Sequence, residues 1–409
     1  MNDSPAYLPR TISRTLQKLS AFFPCVLITG ARQVGKSTLL RHLLPEGMRY
    51  VTLDNVELAA EAQERPLAFL ERMGSPLCID EIQYAPALFR AIKQKVDEDR
   101  RPGMYWLTGS QRFRLMKGVS ESLSGRLGIA ELFSLSQAEA LGQGAEEHTA
   151  FHPNSASTEG KPVCDRAALF RRIFRGGYPE LIQHPEIEPA MFFQAYVQSY
   201  VERDVQDLTQ VGNKSAFVKL MRSAALRSGQ QLVYSDLARD ADVSPKTAKE
   251  WVSVLEASGI ITLLEPYHIN TTKRLSKSPK LYFMDTGLCC WLARIHSAEE
   301  LEHGAFAGAM AETWAFGQLL RDFHNAGQMP NLSYYRDSNG AEVDFLLEDG
   351  GTIYPMEVKS SSSPHRNDLK RCRAIPLGKA KLGGGLVLCT AETMTDLGYG
   401  HRSFPLSAL

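Results

Sequence analysis

The chain has 409 residues, which is too many for one hydrophobic core and predicts roughly two to four domains. Its composition, with 44% hydrophobic and 22% charged residues, excludes a disordered or fibrous protein. Lys plus Arg and Asp plus Glu both number 46, so any nucleic-acid or membrane partner has to be argued from local patches of charge.

The cysteines and the hydrophobicity along the chain bear on the cellular compartment. Seven cysteines, an odd number, lie mostly in apolar runs, as in proteins that keep their thiols reduced. The N-terminus lacks the apolar segment of a signal peptide, and no stretch approaches the ~20 apolar residues of a membrane span. We therefore expect a cytoplasmic protein with no membrane partner.

A phosphate-binding loop is predicted near the start of the chain. Val26 to Ile28 is typical of a buried parallel strand, and residues 30–37 match G-x-x-x-x-G-K-S ahead of leucines at helical spacing. Loop amides and the helix N-terminus would bind the phosphates of ATP, with Lys36 at the β- and γ-phosphates and Ser37 on Mg²⁺. The predicted nucleotide contacts are Gly30, Ala31, Arg32, Gln33, Val34, Gly35, Lys36, Ser37, Thr38, Asp80 and Ser110.

Further apolar runs predict the rest of a parallel α/β sheet within residues 1–141. They lie at 49–54, 76–80, 104–108 and 129–133 and are separated by helical patterns. The run at 76–80 ends in Asp80 and is followed by Glu81. Asp80 would hold Mg²⁺ through Ser37 and water, and Glu81 would orient and deprotonate the attacking water. The alternative is an acidic pair at a solvated loop end.

Two more polar groups border strands of this sheet. Ser110 and Gln111 follow the strand that ends at Thr108 and could sense the γ-phosphate, whereas the alternative is a turn or a helix cap. Arg126 precedes the next strand and could act as an arginine finger on a neighbouring subunit, or be a surface arginine. The first interpretation of Arg126 predicts a nucleotide-dependent homo-oligomer, such as a ring.

The middle of the chain is predicted to be helical. Residues 142–165, rich in Gly, Ser, Glu and Pro, predict a flexible linker or an exposed insertion, and residues 166–212 a helical lid or docking segment. Residues 213–300 predict a winged helix-turn-helix with three helices and two strands. If it binds DNA, Lys246, Thr247 and Lys249 would face the major groove, and Lys273, Arg274, Lys277 and Lys280 would contact phosphates. The alternative is that this module only packs the ATPase against the C-terminal domain.

Residues 301–409 contain a second possible catalytic site. Two predicted strands carry Asp344 and, on one face of the second strand, Glu357 and Lys359. These groups could hold Mg²⁺ and position a water for attack on a phosphodiester, with Lys359 stabilising the developing charge and Glu312 as a further ligand. A basic stretch from Lys359 to Lys381 suits phosphate. The alternatives are a hairpin with solvated charges and a site kept for binding alone.

Several motifs resemble those of prokaryotic AAA-type ATPases whose C-terminal half is a domain of unknown function. The resemblance covers nearly the whole chain and implies an AAA-like fold, ATP hydrolysis and a C-terminal region similar to PD-(D/E)XK nucleases. One departure is Ser110 and Gln111 where AAA proteins usually have asparagine. The motifs lie at 30–37, 79–83, 108–111, 124–126, 174–180, 200–205, 280–288, 342–345 and 357–359.

The sequence therefore predicts an α/β protein with an N-terminal AAA-like P-loop parallel sheet, a helical lid, a winged helix and a small α/β nuclease-like domain. We expect a Mg²⁺-dependent ATPase that acts on DNA, with endonuclease activity as a further expectation. The alternative is a regulatory or scaffold ATPase, or a DNA translocase, whose nuclease-like domain binds without cleaving.

Overall fold

The computed structural model describes residues 6–109, 122–146, 148–201, 213–269 and 278–409. Its first sheet has five strands in the order β2-β3-β4-β1-β5, and all neighbouring pairs are parallel. The strand residues of β1, β3 and β4 are entirely buried, as expected for inner strands covered on both faces. The strands are β1 (Cys25–Thr29), β2 (Arg49–Thr52), β3 (Leu77–Asp80), β4 (Tyr105–Thr108) and β5 (Leu127–Glu131).

Five helices accompany this sheet and cover it. In α5 the apolar residues recur at helical spacing, so that Leu88, Ile92 and Val96 are buried on one side. Asn55 caps α3 by accepting hydrogen bonds from two backbone amides of its first turn. The helices are α1 (Ser13–Phe22), α2 (Lys36–Leu43), α3 (Val56–Glu64), α4 (Pro66–Met73) and α5 (Leu88–Glu98).

A set of helices follows the first sheet and docks on the next region. An aromatic series runs from Tyr178 through Tyr196 and Tyr200 to Phe217 and Trp251, with ring centroids 4.9–6.5 Å apart. This series packs the helical segment against the helices that come after it. The helices are α6 (Gln137–Ala140), α7 (Arg166–Arg175), α8 (Pro179–Gln183) and α9 (Pro189–Tyr200).

The described part of the segment 142–165 is anchored to the C-terminal region. The prediction of a flexible linker is therefore wrong there. Phe151 is buried and meets the ring of Phe404 edge to face, with centroids 5.6 Å apart. The Lys161 ammonium donates to the Ala408 carbonyl at 2.8 Å, and Arg402 donates to the Pro153 carbonyl at 2.7 Å. The polar composition conceals these contacts because they use backbone carbonyls and single apolar residues.

The described residues of 214–283, which exclude 270–277, form three helices and a three-stranded antiparallel sheet in the order β6-β8-β7. Ser244 caps α12 as its sequence suggests, accepting from the Thr247 amide at 3.0 Å. The short strand β6 pairs with β8 and was not anticipated from the sequence. The elements are α10 (Lys214–Ala225), β6 (Gln230–Gln231), α11 (Tyr234–Ala241), α12 (Pro245–Ala257), β7 (Ile261–Leu264) and β8 (Lys280–Phe283).

The C-terminal region places one long helix, α15, against a mixed sheet in the order β14-β15-β13-β11-β10-β9, with β12 paired to β11. Strands β9, β10 and β11 are antiparallel, whereas β11, β13 and β15 are parallel. The helices are α13 (Thr286–Leu292), α14 (Ala298–His303) and α15 (Ala307–Asn325), with 3₁₀ turns at Arg366–Ala374 and Leu406–Ala408. The strands are β9 (Leu332–Arg336), β10 (Glu342–Asp349), β11 (Thr352–Lys359), β12 (Lys381–Leu382), β13 (Leu386–Cys389), β14 (Asp396–Gly398) and β15 (His401–Pro405).

The regions share a hydrophobic core. One continuous cluster of buried side chains includes Ile28 of β1, Phe217 of α10 and Phe316 of α15. All seven cysteines fall within the described ranges, carry free thiols, and none of them is exposed. Of the helices in these ranges, none combines the length and the apolar character needed to cross a bilayer.

Gly30 offers a test of how tightly the first sheet closes on the loop after β1. Its φ is +143°, and a Cβ atom there would lie 2.0 Å from the Leu132 carbonyl oxygen. Gly47 has φ +80° but open space around its Cβ position, so it isolates the cost of the backbone conformation. We expect Gly30→Ala to lower the free energy of unfolding by about 3 kcal/mol or more, and Gly47→Ala by only about 1 kcal/mol. Urea unfolding of both variants measures this, and equal losses would contradict the contact.

Candidate active site

The loop between β1 and α2 forms a concave backbone turn. Gly35 lies immediately before α2 with φ +93°, and Gln33 also has a positive φ of 59°. Only a glycine fits at Gly30, because of the Leu132 carbonyl described above. Ser37 is half-buried and Thr38 is exposed in the first turn of α2. The G-x-x-x-x-G-K-S sequence therefore folds into the phosphate-binding shape that its spacing predicts.

Lys36 points back into this loop. Its side chain is buried, and its ammonium donates to the carbonyl oxygens of Gly30 at 3.0 Å and Ala31 at 2.7 Å. The positive charge is therefore held within the concavity of the loop. A phosphate group bound by the loop amides would lie beside it.

Asp80 lies at the carboxyl end of β3 and is fixed by two hydroxyl groups. The Thr108 hydroxyl donates to Asp80 Oδ1, and the Tyr50 hydroxyl donates to Oδ2 at 2.5 Å. Asp80 is 2% exposed, so this carboxylate would be costly to bury without these donors. Burial and the hydrogen bond to Asp80 raise the pKa of Tyr50 to about 12.

Glu81 adopts an unusual backbone conformation beside Asp80. Its φ is +58°, and its amide donates to the Thr108 hydroxyl oxygen at 3.1 Å. The Gln83 side-chain amide donates to the Glu81 carboxylate. Thr108 therefore contacts both acidic residues, one through its proton and the other through its lone pair. The sequence predicted a polar motif after the strand that ends at Thr108 and proposed Ser110 and Gln111 as the γ-phosphate sensors. Both residues lie outside the described residues.

Arg10 is a residue that sequence reasoning missed. Its buried guanidinium donates to the Val34 carbonyl of the loop at 2.8 Å and to the Phe133 carbonyl at 2.7 Å. It also pairs with the buried Glu139 at 3.2 Å. The N-terminal segment is thereby tied to the phosphate-binding loop and to the chain leaving β5. A single arginine upstream of the loop carries no motif, so no sequence signal marked it.

Arg126 lies at the opposite end of the sheet from the loop. It directly precedes β5, and its carbonyl accepts from the amide of Cys25 at the start of β1. The guanidinium pairs with Asp97 at 2.5 Å and donates to the Ser124 carbonyl at 3.0 Å. Because the loop follows the other end of β1, Arg126 cannot reach the nucleotide site of its own chain.

The C-terminal site gathers Asp344, Glu357 and Lys359 on the neighbouring strands β10 and β11. Asp344 Oδ2 accepts from the Val358 amide at 2.8 Å, and Lys359 pairs with Glu357 Oε2 at 2.9 Å. The other oxygen of Glu357 is buried without a hydrogen-bond partner. Burial, followed by repulsion from Asp344, raises the pKa of Glu357 to about 8. The structure therefore brings together the three groups predicted on these strands.

A buried lysine from β8 enters the same site. The Lys280 ammonium lies 2.8 Å from Glu312, 2.6 Å from Glu342 and 3.8 Å from Asp344. Burial acts to lower the pKa of Lys280, but Glu312, Asp344 and Glu342 outweigh it and raise that pKa overall. Lys280 is 1% exposed, so the prediction that it contacts a DNA phosphate is wrong. Its position in a basic stretch of the sequence gave no sign that it pairs with buried carboxylates from distant parts of the chain.

The comparisons with known proteins follow this layout. Residues 23–141 match an AAA domain, residues 166–299 match the domain of unknown function DUF8612, and residues 307–409 match the domain of unknown function DUF4143. The uncharacterized protein Rv2008c of Mycobacterium tuberculosis is 30% identical over 386 residues, which cover 93% of this chain and 78% of that protein. Mb2031c of Mycobacterium bovis, also uncharacterized, matches with the same identity and coverage.

The chain belongs to the family of AAA-type P-loop ATPases whose C-terminal half is a domain of unknown function. Among solved structures it is similar to the Walker-type ATPase PABY2304 of Pyrococcus abyssi, with TM-score 0.45 and 16% identity over 70% of this chain and 98% of that one. It is also similar to the T158V variant of Thermotoga maritima RuvB, with TM-score 0.29 and 17% identity over 65% of this chain and 92% of that one.

The middle and C-terminal regions have exposed cations that are distant from the nucleotide loop in sequence. Lys246 and Lys249 are exposed on α12, and Thr247 is half-buried there. Lys273, Arg274 and Lys277 lie outside the described residues. On the C-terminal sheet, the 3₁₀ turn at Arg366–Ala374 and the chain after it present a further group of exposed cations. These are Arg366, Lys370, Arg371, Arg373, Lys379 and Lys381.

Proposed function

We propose that the chain binds ATP together with Mg²⁺ and hydrolyses it at the carboxyl edge of the five-stranded sheet. The observation that carries this proposal is the pair Asp80 and Glu81 at the end of β3, both bonded to Thr108 at the end of β4. Strand β4 lies between β3 and β1, and the phosphate-binding loop follows β1. The acidic pair and the loop therefore share one edge of the sheet, where α/β proteins bind ligands.

Each residue of this edge has a chemical role in the proposal. Lys36 exchanges its two loop carbonyls for phosphate oxygens when ATP binds. Ser37 and Asp80 supply the hydroxyl and carboxylate oxygens that suit Mg²⁺, which would neutralise charge on the β- and γ-phosphates. Glu81 accepts the proton of the attacking water, and the bond from its amide to Thr108 holds it in place.

Two variants separate nucleotide binding from turnover. Lys36→Ala is expected to weaken ATP binding by at least about 100-fold, because it removes charge-assisted bonds to phosphate. Glu81→Gln is expected to keep ATP binding and to slow hydrolysis by about 10²–10⁴-fold, because it removes the base. Binding of a fluorescent ATP analogue and phosphate release measure the two effects. Glu46→Gln, an exposed charge loss of the same kind, is the control, and wild-type turnover in Glu81→Gln would contradict the assignment.

We further propose that Arg126 completes the site of a neighbouring copy of the chain. Its location at the far end of the sheet from its own loop supports this role. The ion pair with Asp97 is partly exposed on both sides and therefore weak, so Arg126 can leave it when subunits associate. Association would then depend on ATP, because the γ-phosphate is the group that Arg126 contacts.

Mixing two inactive variants tests a role in trans. Arg126→Ala alone is expected to lower turnover by about 10³-fold without weakening ATP binding. In an equal mixture of Arg126→Ala and Glu81→Gln, about a quarter of the interfaces join an intact Glu81 to an intact Arg126, so phosphate release should recover to about that fraction. The control is a mixture of Arg126→Ala with the double variant Glu81→Gln/Arg126→Ala. It contains no intact Arg126 and therefore no such interface. No recovery above the separate variants would contradict the role.

We propose that the partner acted on is DNA, bound along the middle and C-terminal regions. Within 214–283, the described elements follow the helix, strand, helix, helix, strand, strand order of a winged helix, and α12 presents Lys246 and Lys249 to solvent. The exposed cations of the C-terminal 3₁₀ turn include Arg366, whose guanidinium lies 4.9 Å from the ring centre of Tyr399. Exposed basic and aromatic groups together suit a nucleic-acid backbone and unpaired bases. A protein partner is the competing possibility.

Charge removal on this surface tests the partner. The double variant Arg371→Ala/Arg373→Ala is expected to weaken binding to a labelled DNA duplex. It should also reduce the steepness of log K against log salt by about 2, because two phosphates fewer are neutralised and fewer counterions are released on binding. Lys18→Ala/Lys93→Ala removes two exposed charges from the ATPase region and is the control. Fluorescence anisotropy at several salt concentrations measures both. Equal affinities and slopes in the two double variants would contradict this surface.

A further inference from the structure

Glu312 lies at the contact between two regions and is covered from the side of β8. Its Oε1 receives both the Lys280 ammonium at 2.8 Å and the Tyr282 hydroxyl at 2.5 Å. A Cβ atom on Gly229 would lie 3.5 Å from the Glu312 carboxyl carbon, so the chain before β6 approaches it as well. Next to Glu312, the hydroxyls of Thr313 and Ser228 are hydrogen-bonded at 2.9 Å. Glu312 is thus held by residues of the 214–283 region.

Lys280 has a complete set of partners at this contact. Besides Glu312 it pairs with Glu342 at 2.6 Å, and the Tyr334 ring centre lies 5.5 Å from its nitrogen. Glu342 in turn receives Arg336 at 3.1 Å through its other oxygen. A buried ammonium needs several acceptors to offset the loss of water, and this one has them.

The donor set does not fit the divalent metal that a PD-(D/E)XK-like nuclease site implies. Of the three ligands predicted here, Glu312 is engaged by Lys280 and Tyr282, and the Lys280 ammonium also lies 3.8 Å from Asp344 Oδ1. A divalent cation at Asp344 would therefore lie close to the buried Lys280 ammonium and would be repelled by it. Within the described ranges, His, Cys, Asp and Glu form no group of three or more suited to a metal ion.

We propose that Lys280 is the resident cation of the C-terminal acidic site, in the place where a divalent metal would otherwise be held. The lysine from β8 offsets part of the negative charge of Glu312 and Glu342 and joins the 214–283 region to the C-terminal sheet. This acidic site therefore binds no divalent metal in the native protein, and it does not cut phosphodiesters by metal-assisted attack. Removing the ammonium leaves the carboxylates uncompensated and converts them into a metal site.

The test is Mn²⁺ binding to nucleotide-free protein, followed by the electron paramagnetic resonance signal of free Mn²⁺. Wild type and Asp344→Asn are expected to give the same titration, because neither holds the metal at this site. Lys280→Met is expected to bind Mn²⁺ at least about tenfold more tightly than wild type, and Asp344→Asn in the same chain should remove the gain. Because nucleotide is absent, the result is independent of the proposed ATP hydrolysis.

Two results would overturn the proposal. One is Mn²⁺ binding by wild type that Asp344→Asn abolishes, because the site would then hold a metal with Lys280 still present. The other concerns stability, because Lys280→Met leaves buried carboxylates unpaired and is expected to lower the melting temperature. Glu312→Gln in the same chain removes one uncompensated charge and should recover part of that loss. A double variant that melts no higher than Lys280→Met would show that the ammonium does not balance Glu312.

Discussion

The structure depends on how closely the phosphate-binding loop is enclosed by the rest of the chain. The Leu132 carbonyl leaves no room for a side chain at Gly30, and Arg10 links the loop carbonyl of Val34 to the chain leaving β5. From the other side, a Cβ atom on Gly259, which follows α12, would lie 3.4 Å from the Ala31 amide nitrogen. The loop therefore lies directly against the middle region, which includes α12.

The two acidic sites of the chain solve the same electrostatic problem in different ways. Asp80 accepts hydrogen bonds from the neutral hydroxyl groups of Thr108 and Tyr50. Its negative charge therefore stays available to a metal ion. The C-terminal carboxylates lie beside lysine ammonium groups instead, which offset part of their charge. The contrast supports the proposal that the first site binds a metal ion with its nucleotide, whereas Lys280 takes the place of a metal in the second.

Sequence reasoning predicted the elements that have local patterns. The loop from Gly30 to Ser37, the cap at Ser244 and the strands that carry Asp344 and Glu357 follow from spacing and periodicity, and the structure has them. It could not predict the contacts of Arg10 or the burial of Lys280, because the partners of both residues lie far away in sequence and only the folded chain brings them together. The anchored segment around Phe151 was missed for a related reason, since its contacts are long-range and its composition is typical of a loop.

The two proposed activities imply that ATP turnover at the first sheet is linked to DNA binding on the C-terminal side of the molecule. The rate of phosphate release with Mg²⁺ and ATP, measured with and without a saturating DNA duplex, decides this. We expect a faster rate with DNA, because the bound duplex acts on the middle region that packs against the loop. The same rate with and without bound DNA would contradict it and would favour a protein partner instead.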